Sequence, residues 1–171
     1  MTDYRSFNLK LFLPLLALFM STTALSQGSS DDSKNGQFNF WIGEWDVFKY
    51  GTDTLVGHSQ IESILNGLVI KETYKSSQYA FEGTSLSKYN QINGQWEQYW
   101  VDNSGTTLHI KGAYSDKKMT LSNTEKRTEG TLHNRLTWTD LEGKAVRQMW
   151  EQSNDGKKWV VVFDGHYKPK K

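Results

Sequence analysis

The chain has 171 residues, with 20 Lys and Arg against 19 Asp and Glu, and it contains no cysteine. A net charge this close to zero lacks the basic excess that is typical of nucleic-acid-binding proteins, so we expect no nucleic-acid partner. The absence of cysteine excludes disulfides, thiolate metal sites and cysteine nucleophiles.

The first 26 residues have the pattern of a secretory signal peptide. Arg5 and Lys10 supply a positive start, and residues 11–20 (LFLPLLALFM) form an apolar run too short to span a membrane. Ala24-Leu25-Ser26 predicts cleavage before Gln27. We therefore expect an exported, periplasmic or extracellular protein whose mature chain has no membrane span, and a retained membrane anchor is the alternative. A lipid-anchored form is excluded because no cysteine stands at the cleavage site.

The mature chain would have 145 residues (171 minus 26), a comfortable size for one domain. Removing Asp3, Arg5 and Lys10 leaves 18 basic and 18 acidic residues. Residues 27–36 (QGSSDDSKNG) are polar and predict a disordered linker, and residues 37–171 form the predicted folded domain.

Short alternating runs, separated by turn residues about every ten positions, fill the folded domain. They predict strands at 44–51, 55–64, 67–75, 80–91, 95–103, 106–113, 117–123, 130–139, 145–153 and 157–168. The turn signals are Asn66-Gly67, Asn93-Gly94, Ser104-Gly105, Glu142-Gly143 and Asp155-Gly156. Ten consecutive strands with tight turns predict an all-β fold, an antiparallel up-and-down β-barrel like those of lipocalins and fatty-acid-binding proteins. A β-sandwich is the alternative.

The most distinctive segment is residues 38–47 (FNFWIGEWDV). Phe38, Trp41 and Trp45 have a spacing that a short helical turn would present to one side. Together with WEQYWVDNSG (96–105), RLTW (135–138), RQMWEQSNDGKKW (147–159) and FDGHY (163–167), this opening resembles a family of secreted bacterial lipocalin-like, or calycin-type, barrels of unknown function. The resemblance covers about residues 37–168 and implies a barrel and an exported protein, without an established activity.

Strand alternation predicts which side chains enter the barrel lumen. We take the parity that combines aromatic and uncharged polar residues as inward, which is the usual composition of a small-molecule pocket. The predicted ligand-binding residues are Glu72, Ser85, Tyr89, Gln98, Trp100, Arg135, Gln148 and Trp150. In this interpretation Arg135 and Glu72 pair inside the barrel or hold a ligand carboxylate. A barrel packed solid, in which these polar groups satisfy one another, is the alternative.

The leading functional prediction is a non-enzymatic barrel that holds a small, partly apolar ligand and needs no cofactor. The second is acid–base catalysis in the lumen by Glu72, Arg135 and Asp102. The third is haem binding through His166, although the glycine-rich stretch of nitrobindin-type haem barrels is missing after Trp45. The four histidines are scattered without metal-ligand spacing, so no metal site is predicted.

One further motif has a structural interpretation. Ser153-Asn154-Asp155-Gly156 resembles the Asp-box of sialidase propellers, where it forms a hairpin turn. We expect Asp155 to accept backbone N–H bonds and Gly156 to adopt a positive φ, with no sialidase activity implied.

Overall fold

The structure, a computed structural model, describes residues 34–171 and is almost entirely β-sheet. A short 3-10 helix at Gly36–Trp41 precedes ten strands: β1 (Gly43–Lys49), β2 (Leu55–Ile64), β3 (Val69–Ser76), β4 (Glu82–Asn90), β5 (Gln95–Asp102), β6 (Thr107–Ser115), β7 (Lys118–Arg127), β8 (Gly130–Leu141), β9 (Ala145–Ser153) and β10 (Val160–Pro169). The predicted signal peptide, and the predicted linker up to residue 33, lie outside the described residues.

Each strand pairs antiparallel with the next one along the chain, and β1 pairs with β10 to close the sheet. The prediction of a ten-stranded up-and-down barrel is confirmed, and the sandwich alternative is wrong. Closure satisfies the edge hydrogen bonds that an open sheet would expose. Among the described residues, no helix has the length and apolar character needed to cross a membrane.

The predicted turn residues form the connections between strands. Gly67 has φ 85° and Gly156 has φ 68°, a left-handed conformation that glycine adopts without a steric penalty. The Asp155 carboxylate accepts the backbone N–H groups of Lys157 and Lys158, both at 2.8 Å. The hairpin interpretation of this segment is therefore confirmed.

The 3-10 helix closes one end of the barrel with aromatic side chains. Phe38 and Trp41 are fully buried, and the Phe38 ring packs edge-on against Trp96 and Trp138 at centroid distances of 5.7 and 5.2 Å. The Trp45 indole N–H donates to the Trp41 carbonyl at 2.9 Å, which ties the helix to β1. The helical turn thus presents Phe38 and Trp41 to one side as predicted, whereas Trp45 joins them from strand β1.

Candidate functional site

A cavity of about 220 Å³ lies inside the barrel. Its walls run from the middle of the barrel, where Glu72 and Tyr167 lie, to the strand ends remote from the 3-10 helix, where Val162 is half-exposed. The mouth is therefore at the end opposite the aromatic plug, which is formed by Phe38, Trp41, Trp96 and Trp138. Six of the thirteen lining residues are aromatic: Tyr74, Phe81, Trp100, Trp150, Phe163 and Tyr167. The other lining residues are Leu108, Leu136 and Val162 and the polar Glu72, Gln98, Asp102 and Gln148.

Glycine positions allow these rings to lie against the sheet. A Cβ atom added at Gly83 would lie closer than 3.0 Å to the Trp100 ring, and the same holds for Gly57 against Tyr74. Each ring therefore covers a glycine on a neighbouring strand instead of filling the middle of the lumen. This arrangement keeps the interior open, in contrast to a barrel packed solid.

Glu72 is the buried carboxylate of the lumen. It is 3% exposed, and its two oxygens accept hydrogen bonds from Ser59 Oγ at 3.0 Å and Ser85 Oγ at 3.1 Å. The Gln98 amide in turn donates to Ser85 Oγ at 3.3 Å and to Ser87 Oγ at 3.0 Å. Burial raises the pKa of Glu72 to about 7, because the serine hydrogen bonds only partly compensate for lost hydration.

Two tyrosines flank this carboxylate as neutral donors. Tyr167 donates its hydroxyl to Gln148 Oε1, and Tyr74 donates to the Val56 carbonyl at 3.1 Å. Burial and the negative charge of Glu72 raise the pKa of Tyr74 to about 12 and that of Tyr167 well above its usual value. Both phenols therefore stay protonated across the physiological pH range.

At the mouth, the two cavity tryptophans are fixed by their indole N–H groups. Trp100 donates to Asp102 Oδ2 at 2.9 Å, and Trp150 donates to Asn134 Oδ1 at 3.1 Å. Burial alone would raise the pKa of Asp102, but hydrogen bonds from Ser104, Trp100 and the Thr106 backbone outweigh it and lower that pKa. Asp102 is therefore an ionised anchor of the turn between β5 and β6.

Five of the eight predicted ligand-binding residues line the cavity: Glu72, Gln98, Trp100, Gln148 and Trp150. Ser85 lies behind the cavity wall, buried and bonded to Glu72. Tyr89 shares the inward face of β4, but it packs near the closed end against Trp96, at a centroid distance of 6.2 Å.

The inward placement of Arg135 is wrong. In β8 the buried residues alternate with Arg135, which lies on the outer face. Its Nε donates to Glu151 Oε2 at 2.9 Å, and its guanidinium lies 4.1 Å from the centre of the Trp159 ring. Arg135 therefore neither pairs with Glu72 nor contributes a positive charge to the lumen.

His166, the candidate haem ligand, also lies outside. In the alternation of β10 it opposes buried Gly165 and Tyr167, and its ring packs against Tyr50 at a centroid distance of 5.6 Å. Over residues 34–171, no group of three or more His, Asp or Glu side chains is arranged to hold a metal ion.

A second polar cluster surrounds Glu97 on the outer face of β5 and β6. Glu97 is only 3% exposed, since neighbouring side chains cover it. Its carboxylate contacts Asn90, Asn93, Tyr99, His109 and Lys111. Burial opposes ionisation, but the hydrogen bonds from Asn93, Asn90, Tyr99 and His109 prevail and lower the pKa of Glu97 to about 2.

Several lining residues were missed at the level of sequence. Tyr74 shares the strand face of Glu72, so the parity argument already contained it. Val162 had no such signal, because it is the extra residue at a register shift between β10 and β9. A bulge of this kind places a side chain where simple alternation does not predict it.

A scan against protein-family models and a search of curated proteins found no match to this chain. The assignment of the fold therefore depends on the structure alone. The closed antiparallel barrel is consistent with a calycin-like fold, which supports that part of the resemblance.

Proposed function

We propose that this protein is an exported, non-catalytic barrel of the lipocalin-like type that holds a small, partly apolar molecule in its lumen. The observation that carries the proposal is the cavity of about 220 Å³ with aromatic walls and a few polar groups inside a closed barrel. Ligand sites in proteins have this composition, since apolar walls supply affinity and a few polar atoms fix orientation. The signal-peptide pattern of residues 1–26 supports export.

The size of the cavity restricts the ligand to small compounds. An apolar cavity of about 150 Å³ accommodates benzene. The somewhat larger volume here suits one ring, or two fused rings, carrying a short polar substituent.

The test compares two matched leucine substitutions. L108W places a large ring in the cavity wall, whereas L86W makes the same change at an exposed position on β4. Saturation-transfer NMR detects the binding of indole. We expect indole to show a saturation-transfer signal with the wild type and L86W, and none with L108W. Native mass spectrometry of the purified protein should detect a bound small molecule in the same two proteins.

Two results would contradict lumen binding. Indole signals that are equal in L108W and the wild type would place the binding elsewhere. A wild type that binds neither indole nor any other one- or two-ring fragment, and carries no co-purified molecule, would reject the proposal entirely.

Acid–base catalysis is a second candidate because the pKa of Glu72, about 7, lies where a general acid or base works best. In that case Glu72 is the acting residue and Arg135 takes no part. A molecule recovered from the lumen would then be converted by the wild type and left unchanged by E72Q, as measured by mass spectrometry.

A further inference from the structure

The charges that line the cavity are all negative. Glu72 and Asp102 contribute carboxylates, and in the part of the chain that the structure describes no Lys, Arg or His lines it. Asp102 is engaged by Trp100, Ser104 and Thr106 in its own turn. Among residues 34–171, two serine hydroxyls are the partners of the Glu72 carboxylate, and no cation lies beside it.

A carboxylate in this setting is poorly compensated when it is ionised. Removal of an ion from water costs several kcal/mol unless a counter-charge and hydrogen bonds replace the lost hydration. Two neutral hydroxyls supply part of that compensation, and the pKa of Glu72 is raised because the rest is missing. A ligand that brings a positive charge to Glu72 would supply the missing compensation for its lost hydration.

The walls favour a cation as well. Aromatic rings attract ammonium groups through the negative face of the π system. Six rings line the cavity, and the N–H groups of Trp100 and Trp150 are already bonded to Asp102 and Asn134. No cationic group is available for an anionic ligand within the described lining, and Glu72 would repel one.

We propose that the lumen binds a small primary ammonium compound with a one- or two-ring body, whose ammonium group pairs with Glu72 and whose ring lies among the aromatic walls. This inference rests on the proposed function, because it names the ligand class for the same cavity. It extends that function by assigning to Glu72 the role of counter-ion.

The experiment measures affinities, by isothermal titration calorimetry at pH 8, for two matched sets of probes. Each set keeps one ring body and changes only the terminal group: 2-phenylethylamine, 2-phenylethanol and phenylacetate, then tryptamine, tryptophol and indole-3-acetate. Since a hydrogen bond to a charged group is stronger than one between neutral groups, we expect each amine to bind at least about tenfold tighter than its alcohol. The carboxylates should bind most weakly.

Two glutamate variants separate the lumen charge from the net charge of the protein. E72Q keeps the shape of the side chain and should lower amine affinity to the level of the alcohol, while leaving the alcohol unchanged. E62Q makes the same charge change at an exposed position of β2 and should leave both affinities unchanged.

Amine binding should also weaken as the pH falls below about 7, by up to about tenfold per pH unit, because Glu72 then becomes neutral. The other titratable groups facing the cavity are Tyr74, Tyr167 and Asp102. The tyrosine pKa values are raised and the Asp102 pKa is lowered, so none of the three titrates between pH 5.5 and 8.5. This pH dependence should be absent in E72Q.

The outcomes distinguish this inference from the proposed function. Alcohols or carboxylates that bind as tightly as the amines, or an amine affinity that E72Q leaves unchanged, would overturn the ammonium inference while lumen binding stands. If no probe of either set binds, and indole also fails in the preceding test, both proposals are overturned together.

Discussion

Replacement of Glu72 by Gln tests whether the lumen carries a destabilising charge at neutral pH. The amide keeps the length and branching of the carboxyl group, so Ser59 and Ser85 retain a hydrogen-bonding partner. What changes is the ability to ionise inside the barrel, where Glu72 is 3% exposed. The variant therefore isolates the electrostatic cost of the buried carboxylate.

The sign and size of the effect follow from proton linkage. The pKa of Glu72 is about 7 in the folded barrel, against an ordinary value of 4.5. Between these two pH values the folded protein retains a proton that the unfolded chain has released, so the free energy of unfolding falls as the pH rises. About 1.36 kcal/mol for each unit of pKa shift gives a loss of about 3 kcal/mol by pH 8.

Urea denaturation of the wild type, E72Q and E62Q at pH 5 and pH 8 measures this difference. We expect the stability of E72Q relative to the wild type to rise by about 2.5 kcal/mol between pH 5 and pH 8, because a small part of the total loss has already occurred at pH 5. E62Q, at an exposed position, controls for other titrating groups. If E72Q shifts stability equally at both pH values, Glu72 has an ordinary pKa and the argument for an uncompensated buried charge fails.

Three further substitutions test other parts of the structure. G83A forces the Trp100 ring off the sheet and should lower the free energy of unfolding, measured in urea, by about 1–3 kcal/mol. The loss should disappear in a W100L background, and equal losses in both backgrounds would contradict the packing of Trp100 on Gly83. E97Q should unfold with a free energy about 1 kcal/mol lower than that of the wild type above pH 5, and this difference should shrink as the pH falls toward 2. A stability difference that persists in acid would contradict the lowered pKa of Glu97. R135A should lower the free energy of unfolding by less than about 1 kcal/mol and leave the affinity for indole, measured by NMR titration, unchanged. A loss of indole affinity would contradict the placement of Arg135 outside the cavity.

The number of strands and the turns between them could be predicted because their signals are local. Asn66-Gly67 and Asp155-Gly156 form turns for reasons contained in a few residues, namely side-chain acceptance of backbone N–H groups and tolerance of positive φ. Alternation likewise placed Glu72, Gln98 and Trp150 in the lumen, since a barrel wall has one inner and one outer face. The closed ten-stranded barrel follows from these local patterns taken together.

The inward placement of Arg135 was wrong because an expected pairing with Glu72 was given more weight than the alternation of hydrophobic residues in β8. Its strand places Leu136 and Trp138 on the opposite face, and their burial removes far more apolar surface from water than burial of Arg135 would. A guanidinium in the lumen would also need full hydrogen bonding to offset its dehydration. The outer surface offers Glu151 and the Trp159 ring instead.

Depth along the barrel axis is the property that alternation does not supply, and it determines which inward residues line the cavity. Tyr89 and Ser85 share a face of β4, yet Tyr89 packs near the aromatic plug whereas Ser85 reaches Glu72 in the middle of the barrel. Strand tilt and the register between strands set this depth, and the bulge that inserts Val162 shifts the register once more. The layer that lines the cavity is thus a property of the whole sheet. The buried carboxylate of that layer is Glu72, which is why the proposed ligand class depends on this residue.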